Sequence, residues 1–354
     1  MIETRESLTD LLNRADNADT CAVDTEADSL HRYRESLCLI QFAWDDESVL
    51  IDPLAIDDLG PFYEYLNRRT VWMHGADYDM TMLRRESGMV PEKVYDTQIG
   101  ARLLGVRKFG LGNLVEHYFD IKLSKSSQKA DWGRRPLSPK MEEYAINDVR
   151  YLLPMAEKIT AALKERGRYE WFVESCEQAR QKVLDRDESK EEPWRIQGAG
   201  RFDRSGLNLL KHLWHWRDEE AERWDRPSFM VVTNKQLVEW VRRISEGGRI
   251  ELPSHFRSDR RRRFFAAVKS ASAIESRDHP ERQRGTRRRR DPDFDERVAG
   301  FIKRRNRVAE ELDIDGSVIA SRAMIEALVA GDPDHGEQGM DWQRSCLGLD
   351  GESR

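Results

Sequence analysis

The sequence predicts an α/β domain with a mixed central sheet flanked by helices, followed by one or two all-α helical bundles. In the first half, runs rich in apolar and β-branched residues alternate with helical patterns, which is typical of a sheet covered by helices. In the second half only helical spacing recurs. The length of 354 residues supports this division, because one hydrophobic core rarely serves so long a chain.

Four strands and four short helices are predicted in the first domain. The strand runs are rich in residues that favour a pleated surface, and turn-forming residues interrupt them. The predicted strands are Thr20–Glu26, Leu37–Trp44, Val49–Ile51 and Val71–His74. The predicted helices are Asp57–Leu66, Asp79–Arg85, Thr97–Leu104 and Leu111–Tyr118.

A longer helix is predicted to begin near Ser138. Serine is a good N-cap residue, and Pro139 suits the first helical position. Pro154 is expected to kink or restart this helix, because proline cannot donate the helical hydrogen bond. Further along, Thr233 followed by Gln236 indicates a capping box at the start of another helix.

Domain boundaries are predicted where the composition changes. A charged stretch that ends in Pro193 indicates a first linker, and a polar, arginine-rich stretch indicates a second. The predicted order is the α/β domain at 1–180, a linker at 181–203, a helical unit at 204–278, an arginine-rich linker at 279–292 and a second, degenerate helical unit at 293–354.

The charge of the chain is slightly acidic overall but unevenly distributed. There are 59 Lys and Arg residues against 65 Asp and Glu residues, a net charge of −6. Residues 251–310 nevertheless hold about 18 basic against about 10 acidic residues, a local excess of about +8. The run Arg282–Arg290 fits a basic footprint for a polyanion and equally a solvated linker.

Several classes of protein are disfavoured. No apolar run is long enough to span a membrane, and the polar N-terminus lacks the apolar stretch of a signal peptide. The four cysteines form no C-x-x-C pair, which argues against a zinc ribbon or a disulfide scaffold. No G-x-x-x-x-G-K-[ST] loop for ATP occurs. We therefore expect a cytoplasmic protein without a membrane or ATP partner.

The first motif that carries chemistry is Asp24-Thr25-Glu26 on the first predicted strand. Side chains alternate across a strand, so Asp24 and Glu26 point to the same face. Two neighbouring carboxylates repel each other, and they need a cation or solvent nearby. Taken alone, the pair fits a solvated strand end as well as a metal site.

Two further motifs each place a carboxylate on a predicted helix. Asp77 and Asp79 both lie near a helix start, where an acidic residue is favoured as an N-cap or by the helix dipole. Tyr144 and Asp148 are four positions apart, so they share one helix face. Each motif taken alone also fits an ordinary surface position.

In their order along the chain, the three motifs resemble those of the DEDDy exonuclease superfamily, which has an RNase H-like fold. The sequence His-Gly-Ala that precedes Asp79 by a few residues is similar to the second motif, which favours Asp79 over Asp77. The segment from Lys125 to Leu137 resembles the RNase D family in particular. The helical unit near Gly206 resembles an HRDC domain, and the last unit looks like a degenerate second copy.

The resemblance implies a 3′–5′ exoribonuclease that releases nucleoside 5′-monophosphates with two divalent ions, Mg²⁺ or Mn²⁺, per site. Asp24 would bridge both ions, and Glu26 and Asp148 would complete the site of the water-activating ion. Asp79 would help to hold the second ion, and Tyr144 would orient the attacking water. Carboxylate oxygens suit such hard cations, whereas a zinc site usually includes Cys or His.

The resemblance also implies that the partner is RNA, either tRNA precursors or another structured RNA with a 3′ tail. Tyr33 can stack on a base and Arg34 can pair with a phosphate, although both also fit an ordinary surface loop. The resemblance places the loop of Lys125 and Lys129 beside the cleft, which makes them candidates for phosphate contacts. It also implies a monomer and sequence-independent RNA contacts by the helical units.

Two alternatives stay open. The first is a DEDDy exonuclease that acts on DNA in repair, because discrimination by the 2′-hydroxyl is not readable from the sequence. The second is a non-catalytic RNA-binding scaffold that keeps the fold. All four carboxylates of the motifs are present, which favours the enzyme over the scaffold.

Overall fold

The computed structural model describes residues 1–186, 192–282, 293–331 and 339–349. These residues form two compact units. The first unit holds residues 1–27, 37–186 and the described residues after 292, and the second holds residues 28–36 and 192–282.

A five-stranded mixed sheet forms the centre of the first unit. Its strands are β1 (Thr20–Ala27), β2 (Leu37–Trp44), β3 (Glu47–Ile51), β4 (Thr70–Met73) and β5 (Lys93–Asp96). The strand order is β3-β2-β1-β4-β5, with β1 antiparallel to β2 and parallel to β4. The predicted mixed sheet is therefore confirmed, and β1 is its central strand.

Helices pack on both faces of this sheet. They are α1 (Arg5–Ala15), α2 (Gly60–Asn67), α3 (Asp77–Ser87), α4 (Thr97–Leu103), α5 (Leu111–Phe119), α6 (Pro139–Arg150), α7 (Leu152–Glu165) and α8 (Tyr169–Asp185). Val23 of β1 is buried with residues of α1, α2 and α3, whereas Ala22 is buried with residues of α4, α7 and α8. Because side chains alternate along a strand, Asp24 lies on the same face as Ala22.

Several elements of the first unit are not predicted by the sequence patterns, α1 and β5 among them. Helix α1 begins at a capping box in which Ser7 takes the place of the usual Glu or Gln beside Thr4. Strand β5 has four residues, which are too few to show alternation. The structure also begins α2 at Gly60 rather than at Asp57, because Pro61 lies in its first turn.

The predicted break in the long helix is confirmed. Ser138 is the N-cap of α6, and its side chain accepts a hydrogen bond from the Met141 N–H at 3.4 Å. Helix α6 ends at Arg150, and α7 restarts at Leu152 with Pro154 in its first turn. Proline is tolerated there because the first-turn N–H groups have no helical acceptor.

The second unit is helical, as predicted. Its helices are α9 (Arg204–Trp224), α10 (Ser228–Val231), α11 (Asn234–Ser245) and α12 (Ser258–Ala273). Thr233 caps α11 by accepting a hydrogen bond from the Gln236 N–H at 3.3 Å, as expected. Trp194 and Ala199, which fall in the predicted linker, are buried in the core of this unit.

The chain after residue 292 packs within the first unit. It forms α13 (Phe294–Leu312), α14 (Gly316–Ile319), α15 (Arg322–Ala330) and α16 (Asp341–Leu347). Trp342 of α16 stacks on Trp171 of α8, and its indole N–H donates to Ser175. Arg168 donates to the carbonyl oxygens of Leu103 and Leu312. These contacts join the C-terminal helices to the α/β domain.

Within the described residues no disulfide joins the four cysteines, and three of them are buried. Within the described ranges, the helices are too short or too polar to cross a membrane. Most of the predicted arginine-rich linker, including all but the first residue of the run Arg282–Arg290, lies outside the described residues.

Candidate active site

The carboxylates of β1 and α6 meet on one face of the sheet. Asp24 and Glu26 lie two positions apart on β1, and α6 packs across β1, β2 and β3 on the same side. Carboxylate oxygens of Asp24, Glu26 and Asp148 all lie within 4.8 Å of one another. Because all three donors are hard oxygen atoms, the group fits a divalent cation such as Mg²⁺ or Mn²⁺.

Asp79 lies beside this group and is buried. It occupies the first turn of α3, and its carboxylate accepts a hydrogen bond from the Thr25 hydroxyl at 2.5 Å. Burial raises the pKa of Asp24 and of Asp148 most, and Asp79 is close enough to both carboxyls to raise each pKa further. Asp77, the competing candidate, is exposed and pairs with Arg186 at 2.9 Å.

The turn that places α3 is held by a buried carboxylate, Asp96 at the end of β5. Asp96 accepts hydrogen bonds from the N–H groups of Gly75, Ala76 and Gln98 at 2.9, 3.0 and 2.7 Å. Gly75 has a φ of +70°, which an L side chain rarely adopts. Asp96 therefore fixes the turn before α3 and the start of α4 together.

Tyr144 and Asp148 share one face of α6, as the four-residue spacing predicts. The Tyr144 hydroxyl lies close enough to the Asp148 carboxylate to interact with it. The Tyr144 ring packs 6.0 Å, centroid to centroid, from the ring of Trp132, which is fully buried. The phenol is thus held between a carboxylate of the site and the segment that precedes α6.

Arg135 anchors the segment that carries Trp132. Its guanidinium forms two bonds to the buried carboxylate of Asp52, at 2.5 and 2.7 Å. It also donates to the carbonyl oxygens of Cys38 and Trp132, at 2.6 and 2.7 Å. A planar guanidinium can satisfy all these acceptors at once, so the segment is fixed to the edge of the sheet.

The carboxyl groups of the cluster are crowded and largely removed from solvent, and both effects raise their pKa values. Burial first, and then repulsion by the neighbouring carboxylates, raises the pKa of Glu26 to about 9 and that of Asp24 well above its usual range. Burial also raises the pKa of Asp79 and of Asp148 to about 7. Burial and the nearby acids raise the pKa of Tyr144, so its phenol stays protonated at neutral pH.

Three positioning residues were not identified from the sequence: Thr25, Asp96 and Arg135. Asp96-Thr97 before a helix is a recognisable N-cap signal, so Asp96 had a detectable role in capping α4. No sequence signal reveals the hydrogen bonds of Asp96 to the turn at Gly75, because they form only when β5 lies beside β4. Thr25 and Arg135 act across 54 and 83 residues of sequence.

The four predicted RNA-contact residues lie outside the acidic cluster. Lys125 and Lys129 are exposed in the segment before α6. In the second unit, the Tyr33 hydroxyl donates to Asp218 at 2.8 Å, and Arg34 pairs with Glu222 at 3.1 Å. Tyr33 is partly buried there against the core of that unit.

The raised pKa values predict how the metal-free protein responds to pH. Since the folded acids bind protons more tightly than the unfolded ones, stability falls as pH rises from the unfolded pKa of about 4 through about 7 to 9. A divalent cation removes the repulsion. Thermal unfolding with Mg²⁺ or with EDTA should therefore show a larger rise in Tm with Mg²⁺ at about pH 8 than at about pH 5.

The matched variant for this measurement is Asp148→Asn, which removes one charge at nearly constant shape. It should raise the Tm of the metal-free protein at high pH and reduce the gain from Mg²⁺. An equal gain from Mg²⁺ at both pH values, or an undiminished gain in Asp148→Asn, would contradict the assignment of the site.

Thr25→Val tests the hydrogen bond to Asp79. Valine keeps the shape and suits a strand, but it leaves the buried Asp79 carboxylate without its hydroxyl donor. Losing such a donor costs about 1–3 kcal/mol, so we expect kcat for nuclease activity to fall about tenfold. Thr20→Val, an exposed threonine on the same strand, is the control. A kcat for Thr25→Val within about twofold of wild type would refute the positioning role.

Comparison with known proteins identifies both units. The family model described as 3′-5′ exonuclease matches residues 1–164, and the HRDC domain model matches residues 206–245. Exonucleases of this family are metal-dependent, and the Asp24, Glu26 and Asp148 group is the candidate metal site. A second HRDC-like domain at 293–354 stays a prediction.

Relatives extend the likeness over most of the chain. Ribonuclease D of Zymomonas mobilis is 29% identical over 98% of this chain and 92% of its own length. Ribonuclease D of Cronobacter turicensis is 34% identical over 69% of this chain and 67% of its own. The crystal structure of Escherichia coli RNase D, described as an exoribonuclease involved in structured RNA processing, superposes with a TM-score of 0.77.

That superposition covers 99% of this chain and 96% of the Escherichia coli chain, at 25% identity. The acidic cluster lies within the part of the chain that matches the exonuclease family. From the sequence relatives, the shared fold and the two family models, the chain belongs to the ribonuclease D family of 3′–5′ exoribonucleases.

Proposed function

We propose that the chain trims structured RNA, tRNA precursors among them, from the 3′ end and releases nucleoside 5′-monophosphates. The observation that carries this proposal is that carboxylate oxygens of Asp24, Glu26 and Asp148 lie within 4.8 Å of one another. Asp79 and Tyr144 are close enough to this group to interact with it. The role of Escherichia coli RNase D in structured RNA processing supports this class of substrate.

The acidic residues would hold two divalent ions, Mg²⁺ or Mn²⁺. We assign Asp24 as the shared ligand, Glu26 and Asp148 as ligands of one ion, and Asp79 as a ligand of the other. When bound, two such ions supply an activated water and stabilise charge on the leaving 3′-oxygen. Thr25 keeps Asp79 in place, and Asp96 fixes the turn before the helix of Asp79.

Tyr144 would position the attacking water rather than remove its proton. Its raised pKa keeps the phenol protonated, so it is a hydrogen-bond donor at neutral pH. The ring contact with Trp132 and the neighbouring Asp148 carboxylate restrict where the hydroxyl can point. A water molecule that a fixed hydroxyl already holds in place loses less entropy on reaching the transition state than a freely moving one.

The RNA chain would be held by cations outside the cluster. Lys125 and Lys129 are exposed and belong to the segment that Arg135 anchors. Arg34 now pairs with Glu222, but both side chains are largely exposed, and such pairs contribute only about 0–1 kcal/mol. A phosphate can therefore compete for Arg34, while Tyr33 is partly buried against the core of the second unit.

We further propose that the protein acts in the cytoplasm as a monomer. The lack of a disulfide among the described cysteines fits a reducing compartment. The site, moreover, is built from elements of a single unit of one chain.

The test is a time course on two 5′-labelled oligonucleotides of one sequence, RNA and DNA, with Mg²⁺ or with EDTA. The wild type should shorten the RNA from its 3′ end only with Mg²⁺. Loss of an outer-shell metal partner already costs about 10–100-fold, so Asp148→Asn should lower the rate by more than about a hundredfold.

Asp120→Asn is the matched control for this experiment. Asp120 is exposed and caps α5 with a φ of +58°, a conformation that asparagine also accepts. Its rate should equal that of wild type. DNA shortened as fast as RNA would indicate a DNA exonuclease, and tight RNA binding without shortening would indicate a scaffold; either result contradicts the proposal.

A further inference from the structure

Gln41 of β2 is an exception to the rule that buried polar groups form hydrogen bonds. Its side chain is fully buried, and neither the amide nitrogen nor the amide oxygen has a hydrogen-bond partner among the described residues. Leaving a buried amide unpaired lowers the stability of the fold, and native structures contain few such groups. The fold alone gives no reason for an amide at this position.

The neighbours of Gln41 within the sheet are mostly apolar. Leu39 and Ala43 lie two positions away on the same face of β2, and Leu50 is the cross-strand partner on β3. All three are buried. A leucine or methionine in place of Gln41 would pack against these apolar neighbours and would leave no polar atom unpaired.

The register of β1 and β2 gives Gln41 one polar cross-strand partner, Asp24. The two residues stand directly opposite each other in the antiparallel pair, so their side chains share a face. Directly opposed Cβ atoms lie about 4.5–5.5 Å apart. The amide therefore lies within one side-chain length of the carboxylate that is assigned to both ions.

We propose that Gln41 is a positioning residue of the nuclease site. With a divalent ion bound, its amide hydrogen-bonds to the Asp24 carboxylate, directly or through one buried water, and fixes the orientation of that carboxylate. The amide nitrogen can donate to a carboxylate that already binds a cation through another oxygen. This inference rests on the proposed function, because it requires an ion at Asp24.

A residue that serves the nuclease site rather than the stability of the fold can be recognised by how its substitution changes stability and ion binding. Removing its polar atoms should leave the metal-free protein as stable or more stable, because the unpaired amide disappears. The same change should weaken ion binding, since outer-shell partners of metal ligands typically contribute about 10–100-fold to affinity or activity. A residue that only stabilises the fold would show the opposite pattern.

The variant that tests this is Gln41→Met, which keeps the unbranched side chain and nearly the same length. We expect an unchanged or higher Tm in EDTA, Mn²⁺ affinity about 10–100-fold weaker by calorimetry, and a KM for RNA close to wild type. At limiting Mn²⁺ its kcat should fall in proportion to the lost affinity. Gln41→Leu is the second variant, and Leu50→Met is the control on the adjacent strand.

Two results would overturn the inference while the nuclease assignment stands. The first is Mn²⁺ affinity and kcat for Gln41→Met within about twofold of wild type. The second is a lower Tm in EDTA with unchanged Mn²⁺ affinity, which would mean that the amide serves the fold, for example by sharing a water with the buried indole N–H of Trp132. A wild-type protein that binds no Mn²⁺ would overturn the proposed function, and this inference with it.

Discussion

Repulsion between acidic side chains is the constraint on which the rest of the first unit depends. Asp24, Glu26 and Asp148 bring carboxylate oxygens within 4.8 Å of one another, and the buried Asp79 adds a fourth carboxyl group. In water these groups would separate, and in an apolar core they would take up protons. The folded chain holds them together at a cost in stability, and this stored repulsion provides affinity for a divalent cation.

The scaffold shows how this repulsion is resisted. Each acidic residue lies on an element that is fixed by contacts far away in the sequence. Asp96 ties the turn before α3 to β5, and Arg135 ties the segment before α6 to Asp52 on the sheet edge. Thr25 bonds Asp79 directly from the central strand. Rigid elements and buried hydrogen bonds thus keep the site in place before any ligand arrives.

The sequence was informative about the site where spacing determines which way side chains face. The pair Asp24 and Glu26 on a strand, and the pair Tyr144 and Asp148 on a helix, follow from periodicities of two and of about 3.6 residues. The choice of Asp79 over Asp77 depended on resemblance to a family, since both fit a helix start. The structure places the two aspartates differently, one buried and one exposed.

Other features depend on tertiary contacts that no local pattern records. Strand β5 is too short to show alternation, yet it supplies Asp96. Gln41 reads as an ordinary polar residue in a strand until the register places it opposite Asp24 in a fully buried position. The sequence predicts a separate helical unit after residue 292. In the structure, Trp342 from this part of the chain packs within the first unit.

The most direct test of this account is calorimetric titration of Mn²⁺ into the metal-free protein near neutral pH, in buffers with different ionisation enthalpies. Since the pKa of Glu26 is raised to about 9 and those of Asp79 and Asp148 to about 7, the acids are partly protonated before the ion binds. Ion binding should therefore release protons, and Asp24→Asn should bind the ion far more weakly. Binding without proton release, or equal binding by Asp24→Asn, would contradict the central claim that crowded, partly protonated carboxylates form the ion site.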